Sequence, residues 1–188
     1  MNSDPTIGAP RAGRSLPMLL AGVGLAFGLT LLGAAPAARA EIINLSATGF
    51  VQHCPCVEDG TQESNTHVGV LELIGQNNTF YANVDFPADG ARVCSVSLVY
   101  RDVNGNDAIR ARLYRKAFAS GGNFFASPTL MATATSASGT TATTRIAKTT
   151  SIASATVAQS SGFYYVLVDG PTINLAFMGV QIDVRSSC

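Results

Sequence analysis

The sequence predicts an all-β fold, a single antiparallel β-sandwich of jelly-roll type. Short segments in which apolar and polar residues alternate recur along the chain, separated by turn residues about every ten positions. Beyond residue 40 the chain is rich in Val, Ile, Thr, Ser and Ala, lacks Trp, and has little of the helix-forming Lys and Glu. No stretch has an apolar stripe of helical period, so two packed sheets are expected.

Ten segments carry the alternation and are predicted to be strands. In chain order they are Ile42–Ser46, Val68–Ile74, Thr79–Phe86, Arg92–Arg101, Ala108–Lys116, Leu130–Thr135, Thr140–Ile146, Ile152–Ala158, Phe163–Asp169 and Ile173–Val184. Residues 130–161 consist largely of Ala, Thr, Ser and Gly, which favours thin, partly exposed strands. Turns are expected there at Ser138-Gly139 and near Lys148.

A tight hairpin is predicted between the strands Arg92–Arg101 and Ala108–Lys116. Asn104-Gly105 lies between them, and this dipeptide readily adopts the positive φ angles that a two-residue hairpin turn needs. In the second strand, alternate residues are basic or aromatic, so one face is expected in the core and the other in water. Asp169-Gly170 is predicted to be another turn.

The last strand changes phase. Ile173, Leu175 and Phe177 are apolar at odd positions, whereas Val180 and Ile182 are apolar at even ones. One extra residue in the strand produces such a shift, which predicts a β-bulge near Met178-Gly179. The alternative is two separate strands that meet at a corner.

Residues 1–40 are predicted to be a cleaved secretory signal peptide, and residues 41–188 a single β-sandwich domain. A weakly basic start is followed by an apolar run from Leu16 to Ala35 and by the triplet Ala38-Arg39-Ala40. A retained membrane anchor is the alternative, because about twenty apolar residues can cross a bilayer. Cleavage indicates an exported bacterial protein, secreted or periplasmic, with no membrane contact afterwards.

The charge of the exported domain is close to neutral. Beyond residue 40 the sequence has nine basic and eleven acidic residues, a net charge of about −2. The domain as a whole therefore lacks the strong positive charge typical of proteins that bind nucleic acid.

The four cysteines, Cys54, Cys56, Cys94 and Cys188, are expected to form disulfides in an oxidising compartment. A bridge across Cys54-Pro55-Cys56 would close a very short loop, so two long bridges that join Cys54 and Cys56 separately to Cys94 and Cys188 are favoured. Cys54 with Cys94 and Cys56 with Cys188 is slightly preferred, and the sequence leaves the opposite pairing open. Cys188 could instead link two subunits.

A metal site is the alternative for the same segment. His53, Cys54 and Cys56 offer an imidazole and two thiolates, and His67 or Cys94 could supply a fourth ligand. This donor set suits copper or zinc. No other cofactor is expected.

Four aromatic residues are the candidates for a ligand-binding or interface surface: Tyr114, Tyr165, Phe124 and Phe125. Exported β-sandwiches that bind carbohydrate present aromatic rings, and adjacent Tyr164 and Tyr165 must point to opposite faces of a strand. Phe124 and Phe125 follow two glycines in a loop. The competing interpretation is that these rings only edge or cap the core.

No catalytic motif is present, so the leading hypothesis is a non-enzymatic surface protein. It would act as a self-assembling structural subunit or as an adhesive module for an extracellular glycan or other surface partner. The first alternative is a periplasmic metal-binding protein. The second is a hydrolase of carbohydrates with paired carboxylates such as Glu72 and Asp85.

Overall fold

The structure is a computed structural model that describes residues 40–52, 70–73, 78–102, 107–118, 127–137, 141–170 and 175–188. The chain divides into the units Met1–Ala35 and Pro36–Cys188, and the first lies outside the described residues. The predicted leader and the predicted turns at Asn104-Gly105 and Ser138-Gly139 also lie outside the described residues. Within the described part, no helix is long and apolar enough to cross a membrane.

Ten strands and two single 3-10 turns make up the described domain. The strands are β1 (Glu41–Ser46), β2 (Val51–Gln52), β3 (Leu71–Leu73), β4 (Asn78–Val84), β5 (Arg92–Asp102), β6 (Arg110–Ala117), β7 (Thr129–Thr135), β8 (Thr141–Thr149), β9 (Gly162–Gly170) and β10 (Leu175–Arg185). The 3-10 turns are Ala47–Gly49 and Gln159–Ser161.

The strands form two antiparallel sheets. The first sheet has the order β1-β10-β5-β8, with β3 also paired to β10, and the second has the order β2-β4-β9-β6-β7. The pairs β6–β7, β5–β8, β4–β9 and β3–β10 are nested, each enclosing the previous one in the chain. A long hairpin of this kind, folded over so that successive pairs fall in opposite sheets, is a jelly roll. The predicted fold class is therefore confirmed.

Alternating residues of both sheets meet in one apolar core. Most of the largest buried side chains come from the strands β5, β6, β9 and β10, and they include Tyr100, Leu113, Tyr164 and Phe177. Phe50 packs edge-on against Phe177, with ring centroids 5.0 Å apart. Because successive side chains of a strand point to opposite faces, the residues that alternate with the core residues lie on the two outer sides of the sandwich.

The predicted β5–β6 hairpin is wrong, because the two strands belong to opposite sheets. β5 pairs with β10 and β8, whereas β6 pairs with β9 and β7. The chain crosses the sandwich after Asp102, whose buried carboxylate accepts a hydrogen bond from Ser136 Oγ (3.1 Å). The same hydroxyl accepts one from the Ile109 N–H (3.0 Å), so both ends of the crossing are held by one side chain.

The predicted bulge in the last strand is confirmed. The register of β10 against β5 shifts between Phe177 and Gly179, and the side chains of Phe177, Val180 and Ile182 all point into the core. A Cβ on Gly179 would lie 2.5 Å from the Leu45 carbonyl oxygen of β1. The phase slip in the sequence is thus one bulged strand and not two strands at a corner.

Three local predictions are wrong. Ile152–Ala158 is not a strand, and its only ladder contact is an isolated bridge between Arg92 and Thr156. Lys148 lies inside β8 and not at a turn, and Asp169-Gly170 completes β9. In each case long-range pairing extends or replaces what the local composition favours.

The favoured disulfide pairing is also wrong, because Cys94 bonds to Cys188. Their Cα atoms are 5.4 Å apart, since β10 runs beside β5 and its C-terminal end reaches the start of β5. This bridge excludes Cys54 with Cys94, Cys56 with Cys188, and a link through Cys188 to a second subunit. Cys54 and Cys56 themselves lie outside the described residues.

Candidate functional site

The outward side of the second sheet combines aromatic rings with basic side chains. In β9, Tyr164, Val166 and Val168 are buried, so Phe163, Tyr165, Leu167 and Asp169 must point outward. In β6 the outward residues are Arg110, Arg112, Tyr114 and Lys116, and in β4 they are Thr79, Tyr81 and Asn83. We call this surface the aromatic face.

Tyr114 and Tyr165 form the centre of the aromatic face. They are cross-strand partners in β6 and β9, and their rings stack with centroids 5.2 Å apart and planes inclined by 15°. Both are half-buried, and desolvation, followed by the nearby Tyr114 hydroxyl, raises the pKa of Tyr165. The pair combines apolar ring surface with two hydroxyl groups.

Exposed apolar rings continue the face on one side of this pair. Phe163 is 46% exposed, although it is in a central strand, and Phe118 beyond the end of β6 is 60% exposed. Their centroids are 6.2 Å apart, and the Lys116 ammonium lies 5.8 Å from the Phe163 ring centroid. Two large rings beside a cation form a surface of mixed apolar and basic character.

Basic groups border the pair on the other side. The guanidinium groups of Arg110 and Arg112 both donate to a single oxygen of Asp169, Oδ2, at 2.7 and 2.9 Å. Since one carboxylate neutralises only one guanidinium, this cluster keeps a net positive charge. Arg112 Nε and Asp169 Oδ1 are buried without a hydrogen-bond partner, so the cluster is not fully satisfied by the protein.

On the β4 side the aromatic face runs into an open groove. Asn83 is the cross-strand partner of Tyr165, and Tyr81 is that of Leu167. Tyr81 and Asn83 also line a groove of about 420 Å³ together with Asn44 and Ser46 of β1. The groove adds amide and hydroxyl groups to the ring surface, so hydrogen-bonding and stacking groups lie side by side.

The outward side of the first sheet differs. Its exposed residues are aliphatic, polar and charged, among them Ile42, Ile146, Lys148 and Gln181, and its described side chains include no exposed aromatic ring. Exposed rings are therefore concentrated on one of two otherwise comparable surfaces. A ring that only edges the core would not need this asymmetry.

The sequence-predicted site residues fall into two groups. The structure brings Tyr114 and Tyr165 into contact on the outward side of the second sheet. Phe124, Phe125, His53, Cys54, Cys56 and His67 lie outside the described residues. Within the described part, no three His, Cys, Asp or Glu side chains cluster in a way that could hold a metal ion.

Phe163 and Asp169 are two members of the face that the sequence analysis did not single out. Phe163 shares the parity of Tyr165, so its exposure could have been inferred from the same alternation that marks the strand. The position of Asp169 within a strand was not predicted, because Asp-Gly is a common turn signal. Its contact with two arginines depends on the β6–β9 register, which no local pattern reveals.

Comparisons with known proteins identify no family. No family model matches the sequence, and a search of the curated proteins finds no match. Among solved structures, the chain is similar to the CBM36-1 domain of a multidomain xylanase from the hindgut metagenome of Trinervitermes trinervoides. The sequence identity is 13%, the alignment covers 78% of this chain and 96% of that chain, and the TM-score is 0.44. We infer nothing about ligands from this similarity.

Proposed function

We propose that this protein is an exported, non-enzymatic binding module that holds an extracellular glycan on the aromatic face. The observation that carries the proposal is the stacked pair Tyr114–Tyr165, flanked by the exposed ring of Phe163. Sugar rings have apolar C–H faces that pack on aromatic rings, and equatorial hydroxyls that hydrogen-bond to neighbouring polar groups. The aromatic face offers both kinds of contact.

The shape of the surface favours a chain over a small molecule. The aromatic face is an open sheet surface, whereas small-molecule sites are enclosed clefts that bury most of the ligand. The outward positions run from β7 across β6 and β9 to β4 and then into the groove beside Tyr81. A glycan laid across the strands contacts the tyrosine pair and the groove at the same time.

Isothermal titration calorimetry of the full chain with a panel of soluble polysaccharides tests the proposal. We expect the double variant Tyr114→Ala/Tyr165→Ala to bind at least tenfold more weakly, about 1.4 kcal/mol. The matched control is Ile146→Ala, because Ile146 is 62% exposed on the opposite sheet. Circular dichroism shows whether each variant keeps its β-sheet structure.

Two results contradict the proposal. One is glycan binding that is unchanged in the folded tyrosine variant. The other is the absence of binding to every polysaccharide together with a dimeric mass that the tyrosine variant reduces to that of a monomer. The second result assigns the aromatic face to self-association, the structural role that the sequence also suggests.

A further inference from the structure

We propose that the ligand of the aromatic face is an acidic polysaccharide whose carboxylates contact the basic residues of β6 on either side of the tyrosine pair. This inference rests on the proposed function and adds the charge of the ligand. It depends on where the basic residues lie, on how they are compensated and on their order along β6.

Basic residues are concentrated in one strand of a domain with a net negative charge. Of the nine basic residues beyond residue 40, four lie in β6: Arg110, Arg112, Arg115 and Lys116. Arg115 points away from the aromatic face and donates to Ser161 Oγ at 2.7 Å. The other three point outward, so their positive charge is presented at the surface.

The strands of the second sheet do not neutralise both guanidinium groups of the aromatic face. Across the described strands β2, β4, β6, β7 and β9, Asp169 is the only acidic residue, against the two outward arginines Arg110 and Arg112. Asp169 gives a single oxygen to both Arg110 and Arg112. Part of the guanidinium charge therefore remains available to an anion from outside the protein.

The order of the outward residues in β6 matches a charged sugar chain. Arg112 and Lys116 lie on either side of Tyr114, and strand geometry separates their Cα atoms by about 13 Å. A sugar ring packed on the tyrosine pair would then have a cation on each side along the strand. Carboxylates on that ring or its neighbours can reach guanidinium or ammonium groups, and the guanidinium fork fits carboxylate geometry closely.

The test compares two forms of one polymer that differ only in carboxylate charge. Full-length protein is titrated with polygalacturonate and with its fully methyl-esterified form at two salt concentrations. We expect at least tenfold tighter binding to the acidic form, and this preference should shrink as salt rises, because exposed charges are screened. The salt dependence needs no variant, so it remains informative if a variant fails to fold.

Variants locate the charge effect. Arg112→Gln/Lys116→Gln should lower the affinity for the acidic form to nearly that for the ester. Lys148→Gln is the matched control, because Lys148 is exposed on the first sheet. The control should keep the full preference for the acidic form.

The outcomes separate the two proposals. If both forms bind equally and Tyr114→Ala/Tyr165→Ala weakens both, the glycan-binding function stands and the acidic preference is wrong. If neither form nor any neutral polysaccharide binds, both proposals fail. If a short duplex DNA binds as tightly as polygalacturonate with the same salt dependence, the surface attracts any polyanion and the acidic-polysaccharide inference is overturned.

Discussion

At the scale of single residues, one carboxylate fastens a turn to the second 3-10 segment. Asp89 follows Phe86 in the turn between β4 and β5, and its side chain accepts hydrogen bonds from the backbone N–H groups of Gln159 and Ser160. Gln159 Nε2 in turn donates to the Phe86 carbonyl oxygen. Hydrogen bonding by Ser160, and then by the Gln159 backbone, lowers the pKa of Asp89.

This arrangement predicts a stability contribution that depends on pH. A carboxyl group whose pKa is lower in the folded state stabilises the fold above its ordinary pKa, and the contribution is lost as pH falls from that ordinary pKa through the lower folded-state pKa. Asp89→Asn should therefore be less stable at pH 7 and should lose less stability on acidification. Urea midpoints at several pH values measure both effects.

The control is Asp85→Asn, because Asp85 is an exposed carboxylate four residues earlier in the chain. Equal acid sensitivity of the wild type and Asp89→Asn would show that these hydrogen bonds do not contribute to the pH dependence.

At the scale of elements, the bulge in β10 determines how closely β1 can approach. Ser46 is the cross-strand partner of Gly179, and the Leu45 carbonyl oxygen occupies the space that a side chain on Gly179 would need. β10 lies between β1 and β5, so a displacement at this point affects the edge of the first sheet. Glycine is required here because of close approach, not because of a positive φ angle.

Gly179→Ala should destabilise the protein by roughly 1–3 kcal/mol, because β1 must move to accommodate the added methyl group. Gly49→Ala is the control, since a Cβ on Gly49 meets no atom within 4 Å. Chemical denaturation gives the free energy of unfolding of both variants. A Gly179→Ala variant as stable as Gly49→Ala would show that β1 can move away from β10 without loss of stability.

At the scale of the whole molecule, one disulfide joins the C-terminus to a central strand. Cys94 near the start of β5 bonds to Cys188, the last residue of the sequence, across a separation of 94 residues. The bond closes a loop that contains β6, β7, β8, β9 and β10. It also holds the segment that follows β10 against the start of β5.

Replacing the pair by Cys94→Ala/Cys188→Ala should lower the free energy of unfolding by about 4 kcal/mol, because a loop of this length restricts the unfolded chain. Chemical denaturation under oxidising conditions measures the loss. A reductant should remove most of this difference by destabilising the wild type. If the variant and the wild type unfold at the same denaturant concentration without reductant, the bridge adds nothing to stability.

The signal peptide, the metal-binding alternative at His53, Cys54, Cys56 and His67, and the surface role of Phe124 and Phe125 stay predictions. N-terminal sequencing of the exported protein addresses the first, and titration of free thiols with and without a chelator addresses the second. A disulfide at this segment leaves no titratable thiol, whereas a metal site releases thiols on chelation.

The amino-acid sequence by itself determined the features that depend on neighbouring residues. The period of two assigns each strand its inner and outer side, the phase slip locates the bulge at Gly179, and alternation puts Tyr165 opposite to Tyr164. These features could be predicted because the geometry of an extended chain is the same wherever the strand lies in the fold.

The tertiary structure alone decided which distant segments meet. In the folded protein, β5 and β6 lie in opposite sheets, Cys94 is bonded to Cys188, and Asp169 contacts both Arg110 and Arg112. Such contacts depend on strand order and register, which result from packing the two sheets around one core. The same distinction applies to the aromatic face. The local alternation determines on which side of its strand each residue lies, whereas the whole fold determines its neighbours on adjacent strands.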